Sequence, residues 1–468
     1  MEEKMTGRNR NSSSRHLVTA ILLPSFFGLA FLGCGGSTSS TSPIPAKPGT
    51  TIVQINLGDS PSDWIVAFTM SLGSIALTDA NGGNVSVASG AMQMEMRHLM
   101  GTMQPVAMTS VPHGTYSMAT LNISSVSVTY IDPVTKLAVQ KTMPGRSATI
   151  NFSPPIKVGS TPTTMNFELD LARSVSTDAG GNMVFGPVFN TTLGMPGNGQ
   201  GPEYGGVEHM LGSVSGVSGS SFTMSMMQGL PGITLMTNST TQFGGMGGMG
   251  SLNNGMMVEV DAKMQPDGAF MATRIDSVMS GMPGGMMAEG LITSLNGNPP
   301  TQLSIIADNG AGNGMMGSYL GTPLLVNVTS STSYGFDASG VDLNNLPFTP
   351  AFNPSTIGKG QRVDPETSGS MMVGATMNAA ALTLEQQGLS GTVASYASGS
   401  PASFVLNLPV DSAFTSITGA GTIIVIQQPD TQLRGLTSIS NGASVQVRGL
   451  LFVDAGTYKM VATRIMSH

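Results

Sequence analysis

Two stretches of this chain, nearly two hundred residues apart, follow the same script. The first reads LGSVSGVSGSSFTM, then TTQF, then LNNGMMVEVDAKMQPDGAFMATRI, ending at Ile275. The second reads LSGTVASYASGSPASFVL, then DTQL, then ISNGASVQVRGLLFVDAGTYKMVATRI, ending at Ile465. Phe243 and Arg274 lie 31 residues apart, and so do Leu433 and Arg464. A spacing kept across two such divergent texts marks one structural unit used again. A looser copy runs between them, from EGLITSLNGNPPTQLSII through VTSSTSY to MMVGATMNAAALTL. It carries a long insertion around residues 310–357, and Leu382 to Leu384 stand where the other copies close on Arg-Ile. Each unit alternates apolar and polar residues in short runs punctuated by Asn-Gly, at Asn254 with Gly255 and at Asn441 with Gly442. That grammar predicts a small closed barrel or a compact meander, of the oligonucleotide-fold type in shape only.

The motifs are a G-x-V start, a T-x-hydrophobic edge, an NG-x-x-V-x-V strand and an A-x-R-I end, and in them the units resemble domain-of-unknown-function family 5666. The resemblance implies a fold and brings no activity with it. Ahead of the repeats, IVQINL alternates apolar with polar residues, the pattern of a strand with one buried face. WIVAFTM and SIALTD are β-rich, and DANGGN separates SIALT from VSV as a hairpin turn. In TMNFELDLARS, Met165, Phe167, Leu169 and Leu171 share one face. Eight or so strands in about 140 residues is the count of a β-sandwich. The DSP turn, PHGTYSMATLNI and the closing FELDLARSV with MVFGPVF resemble domain-of-unknown-function family 4382, found in exported bacterial lipoproteins.

Cys34 is the one cysteine of 468 residues. Before it come a basic head with Lys4, Arg8, Arg10 and Arg15, the apolar run LVTAILLPSFFGLAFL and then Gly33, the three parts of an export signal. The run is shorter than the roughly 20 apolar residues of a spanning helix, and Pro24 interrupts it. FLGC resembles the lipobox of bacterial lipoproteins, in which the cysteine is acylated and becomes the first mature residue. The resemblance implies that Gly35, standing after it in place of an acidic residue, favours onward sorting to an outer membrane. GGSTSSTSPIPAKPGT then reads as an extended tether.

The expected organisation is all-β. It comprises a signal peptide over 1–33, a tether over 34–50, a β-sandwich over 51–194, a linker over 195–206 and three small barrel-like repeats. These cover 207–280, 286–387 with its insertion, and 388–468. Without residues 1–33 the chain keeps 15 Lys and Arg against 24 Asp and Glu. Nucleic-acid binding needs clustered basic side chains, so that class is set aside.

Catalytic motifs find little footing. Gly245, Gly247 and Gly250, and again Gly312, Gly314 and Gly317, spell G-x-G-x-x-G, but neither set opens a helix after a strand as a nucleotide-binding turn must. Glu259 with Asp261, and Glu168 with Asp170, are paired carboxylates of the kind a glycosidase uses, yet residues two apart on a strand share its wet face. In the last repeat Gln446 and Arg448 replace the first pair. His98, His113 and His209 lack metal spacing, no G-x-S-x-G elbow is present, and DANGGN lacks the bidentate acid of a calcium loop.

Methionine is the unusual residue, 36 in all. MQMEMRHLMGTM places Met92, Met94 and Met96 on one strand face with His98 next, a soft donor set for Cu(I). The same alternation is what a strand needs to bury one face, and Met224 stands where the last repeat has Val405 or Leu406. The reading is therefore a non-enzymatic envelope lipoprotein, at the outer membrane or cell surface. It is held to the membrane by lipid on Cys34 and contacts an envelope polymer, glycan or protein. A copper-binding protein using Met92, Met94, Met96 and His98 is the alternative, and an envelope enzyme comes third.

Overall fold

The computed structural model describes residues 49–60, 62–197, 201–226, 232–278, 286–311, 319–367 and 372–468. Cys34, with the leader and most of the tether, lies outside the described residues, as does the glycine motif at Gly312 to Gly317. The described chain is mostly β-strand, broken by two short helices, Leu171–Ser174 and Ala413–Thr418, and three single 3-10 turns.

IVQINL forms the strand Thr50–Ser60, antiparallel to Met103–Pro112 and parallel to Thr163–Asp170, with Phe189–Gly194 at the far edge. A second sheet is built on the long strands Ile65–Asp79 and Gly114–Ile131, flanked by Asn84–Glu95, Ala138–Pro144 and Ser147–Val158. DANGGN is the turn between Ile65–Asp79 and Asn84–Glu95. Asp79 Oδ1 accepts from the Asn81 and Gly83 amides at 2.7 and 2.9 Å, which commits that carboxylate to its own turn. Ile55, Leu57 and Phe167 of one sheet share a core with Phe68, Leu72 and Leu121 of the other. Alternation in IVQINL predicts a wet face, yet Gln54 and Asn56 are buried too. The linker lies there: Asn56 donates to Asn166 at 2.8 Å and Asn166 to the Pro202 carbonyl at 3.2 Å, so both asparagine amides are bonded where water is excluded.

The expectation of three barrel-like repeats is corrected. Among the described residues only the third is a closed barrel, ordered Gln386–Ala397, Ala402–Asn407, Thr422–Arg434, Thr457–Ser467 and Ser444–Asp454. The first is a six-stranded sheet with one further parallel pair, Met236 with Met271, and the second is an eight-stranded open sheet. Closure needs an extended seam of pairing between the strands that meet. In the third repeat Thr422–Arg434 pairs in parallel with Thr457–Ser467 on both sides of an irregularity between Gln427 and Gln432. In the first, a turn in which Asn238 and Thr241 bond each other splits the corresponding run into Ile233–Met236 and Gln242–Gly244. In the second, the last strand breaks at Ala379 and Ala380, so Thr376–Asn378 and Ala381–Leu384 fall toward opposite ends of the sheet.

Finer features are common to the units. Gly212, Gly290 and Gly391 lie so near the next strand that a Cβ on any of them would come closer than 3.0 Å to its backbone, which explains the glycine of G-x-V. The hydroxyls of Thr241, Thr332 and Thr431 donate to the carbonyls of Ala272, Ala379 and Ala462, each at 2.8 Å. Asn254 and Asn441 accept the Gly216 and Tyr396 amides, both at 2.8 Å, latching the Asn-Gly turn to the first strand. Met224 faces Val214 as Leu406 faces Val393, and both are fully buried, so methionine serves here as an aliphatic. The described part of the insertion is laid down on the third repeat. Phe336 and Phe348 pack on Phe452 at 5.4 and 5.6 Å between ring centres, and Gln428 donates to the Asp342 and Asn344 carbonyls at 2.9 and 2.8 Å.

Candidate functional site

Charged residues are only 10% of the chain, and many of them meet where the amino-terminal unit and all three repeats touch. The amino-terminal unit supplies the turn after Asn84–Glu95. Glu95, fully buried, accepts the Phe68 amide at 2.7 Å and the His98 amide at 2.8 Å, and so folds the chain into the 3-10 turn Arg97–Leu99. The turn presents its carbonyls outward: Met100 O accepts from Arg448 Nη1 at 3.4 Å and Gly101 O from Arg464 Nη1 at 2.6 Å.

The first repeat supplies a bulge. Pairing of Gly206–Ser218 with Met257–Met264 slips between Val207 and Met210, and His209 takes φ 58°. An extra residue in one strand re-aims side chains, here Glu208 and His209, out of the sheet and into the junction. His209 N donates to Asp261 Oδ1 at 2.9 Å and its ring bonds Glu259. Burial would lower the imidazole, but the Glu259 carboxylate outweighs it and raises the pKa to about 9. Glu208 accepts from Arg464 Nη2 through both oxygens at 2.8 Å. Burial alone would raise this carboxyl; Arg464 holds it at about 2 instead.

The second repeat supplies Arg362, whose Nη2 bonds Glu289 at 3.0 Å and Asp308 at 2.9 Å. One guanidinium faces two carboxylates. Burial pushes Asp308 up to about 7 against the pull of Arg362, while Glu289 is held down. The third repeat supplies Gln386, Gln387, Arg448 and Arg464. Burial, with Arg362 and Arg464 nearby, lowers Arg448 to about 10.

Register explains the convergence. Val258, Val363 and Val445 each oppose the close-approach glycine of their own repeat, so Glu259, Asp364 and Gln446 occupy one equivalent position, and Asp261, Glu366 and Arg448 another. The reading of Glu259 and Asp261 as a solvated face is corrected. Asp364, Gln446 and Arg448 are buried, while Glu259 and Asp261 are half-buried and both bonded by His209. Two small cavities at this junction, of about 50 and 30 Å³, are both lined by Arg362 and Arg448. At roughly 10–15 Å³ for each water, they have room for a few waters or a small ion.

The other sequence candidates fall elsewhere. Met92, Met94 and Met96 are buried together in the first core, Met92 opposite Leu72 and Met94 opposite Met70. His98 instead lines the smaller cavity, its Nδ1 3.2 Å from Glu95. Asp170 caps the helix Leu171–Ser174 and pairs with Arg173 at 2.6 Å, while burial raises Glu168. Gly245 and Gly247 precede a three-residue 3-10 turn, Met249–Ser251, rather than an α-helix. His113 is exposed. Among the described residues no group of three or more His, Cys, Asp or Glu is arranged to hold a metal ion, and no helix is long and apolar enough to cross a membrane. Sequence reasoning missed Arg362, Glu289 and Asp308. The usable signal was the scarcity of charge itself, because buried-strand positions carrying Glu, Asp or Arg need partners.

No curated protein matches the chain. Among solved structures, the Drosophila Unr CSD456 chain aligns over 56% of this chain and 97% of its own, at 11% identity and a TM-score of 0.14, which carries no argument about fold or role. A family model described as a domain of unknown function, DUF5666, matches residues 212–276. The body of the first repeat is a DUF5666 domain.

Proposed function

We propose that this protein is a non-catalytic scaffold of the cell envelope, anchored by lipid on Cys34, that holds its repeats in fixed relation and presents their outer surfaces to an envelope polymer, glycan or protein. One observation carries the reading. Arg464 of the third repeat donates through Nη2 to both carboxylate oxygens of Glu208 of the first and through Nη1 to the Gly101 carbonyl of the amino-terminal unit. Buried charges so placed fix orientation between units. The amino-terminal unit, the three repeat boundaries and the outer-membrane address belong to the same proposal.

The test has two arms. Cells making the full chain and its Cys34→Ser variant are fractionated, and the amino-terminal peptide is examined by mass spectrometry; acylated protein in the envelope, released by the substitution, is expected. Small-angle scattering then compares the full chain with Arg464→Met, for which a larger radius of gyration is expected. A soluble, unacylated wild type removes the anchor, and an unchanged scattering curve removes the clasp. The Cu(I) alternative enters as a third outcome: a melting temperature raised by anaerobic Cu(I), and not raised after joint replacement of Met94, Met96 and His98, would replace the scaffold reading.

A further inference from the structure

The larger cavity lies between the amino-terminal unit, the second repeat and the third. Ile65, Val66, Leu291, Leu389 and Phe414 form apolar walls. Into this setting come three guanidinium groups, of Arg97, Arg362 and Arg448. Arg362 is paired with Glu289 and Asp308, but its Nε is buried with no acceptor among the described residues. Arg97 spends its Nε on the Ile65 carbonyl at 3.0 Å. Arg448 is 7% exposed, and no carboxylate lies within 4.0 Å of it among the described residues. Its hydrogen bond to Met100 O, at 3.4 Å, is long. The carboxyl groups on the cavity wall are Asp63, raised by burial, and Asp308, pushed by burial up to about 7 and already bonded to Arg362, so neither is paired with Arg448.

A buried guanidinium without a counter-charge costs several kcal/mol unless something supplies one. From the three arginines, the spare Arg362 nitrogen and the cavity between them, we infer that this junction binds a small, weakly hydrated monovalent anion, chloride being the representative, on Arg448 and Arg362. The chemistry selects within the anions. Sulfate and phosphate demand many donors and bring two charges, whereas the walls here are largely apolar and the spare donors few. A halide fits about one water site and accepts N–H groups from any direction. The position has no equal in the sister units: the equivalent of Arg448 is Asp261 in the first repeat and Glu366 in the second, so the anion would belong to the junction and not to the repeat as such.

The test titrates sodium bromide and sodium chloride against sodium gluconate at constant ionic strength, using the full chain in mild detergent, and follows the melting temperature. A saturable, halide-specific rise of about 2 °C or more is expected, and it should vanish in Arg448→Gln. Equal curves in halide and gluconate overturn the proposal, and so does a halide effect that survives Arg448→Gln. Should Arg448→Gln fail to fold, bromide-soaked crystals of the wild type decide: an anomalous peak beside the Arg448 guanidinium supports the site, and its absence there disproves it.

Discussion

The first and third repeats share their glycine, their threonine hydrogen bond and their Asn-Gly latch, yet they cohere by different means. The third closes on itself and encloses a core of its own, from Leu389 and Val393 to Met460 and Ile465. The first keeps a split seam, and its Phe222, Val258 and Ile275 continue into the core of the amino-terminal unit. The same local instructions thus yield one self-contained barrel and one sheet completed by a neighbour. Closure is decided by whether one strand stays continuous for thirteen residues, as Thr422–Arg434 does, and the repeat motif does not encode that length.

The widest separation should come from excision. Residues 386–468 alone are expected to melt cooperatively, and residues 207–278 alone to show no cooperative transition by calorimetry; a sharp melt from the latter would break the comparison. Next in size is the pair of equivalent arginines. Arg464→Met removes a buried guanidinium and leaves Glu208 only the longer pair with Arg434 at 3.9 Å, and should cost about 2–3 kcal/mol in denaturant unfolding. Arg274→Met, at a side chain 31% exposed that bonds Asp276 and Ser339, should cost about 1 kcal/mol or less.

The pH dependence sharpens the same contrast. The Glu208 carboxyl is lower in the folded state, about 2 against an ordinary 4.5, so its contribution is present above pH 4.5 and is lost as pH falls through about 2. The difference in stability between wild type and Glu208→Gln should therefore shrink by about 2–3 kcal/mol over that interval in acid titrations. His209 runs the other way: with the imidazole raised to about 9, its contribution is full below pH 6.5 and fades as pH rises through 9, and His209→Gln should flatten that alkaline limb. Smallest is the shared threonine bond. Thr241→Val and Thr431→Val should each cost about 1 kcal/mol, and equal values would show that the motif contributes alike in both settings.

Much of the strand content was legible because alternation and turn chemistry act locally. DANGGN reads as a hairpin and is one, and the 31-residue spacing reappears as a hydrogen bond from Thr241 to Ala272 and from Thr431 to Ala462. The junction was less legible. Glu259 and Asp261 look like the wet face of a strand because nothing near them in sequence covers them; His209, fifty residues earlier, does so from a bulge. Arg362, Glu289 and Asp308 come from three separate strands and make a site only when those strands are neighbours.

By itself the sequence determined the β character, the shared motifs of the repeats and the hairpin at DANGGN, since these follow from residues within one turn or one strand pair. The tertiary structure alone decided which repeat closes, that the polar face of IVQINL is covered, and that scarce charges from four units meet around Arg362 and Arg448. Burial and counter-charge depend on which surfaces end up facing each other, and that is a property of packing between segments far apart in the chain.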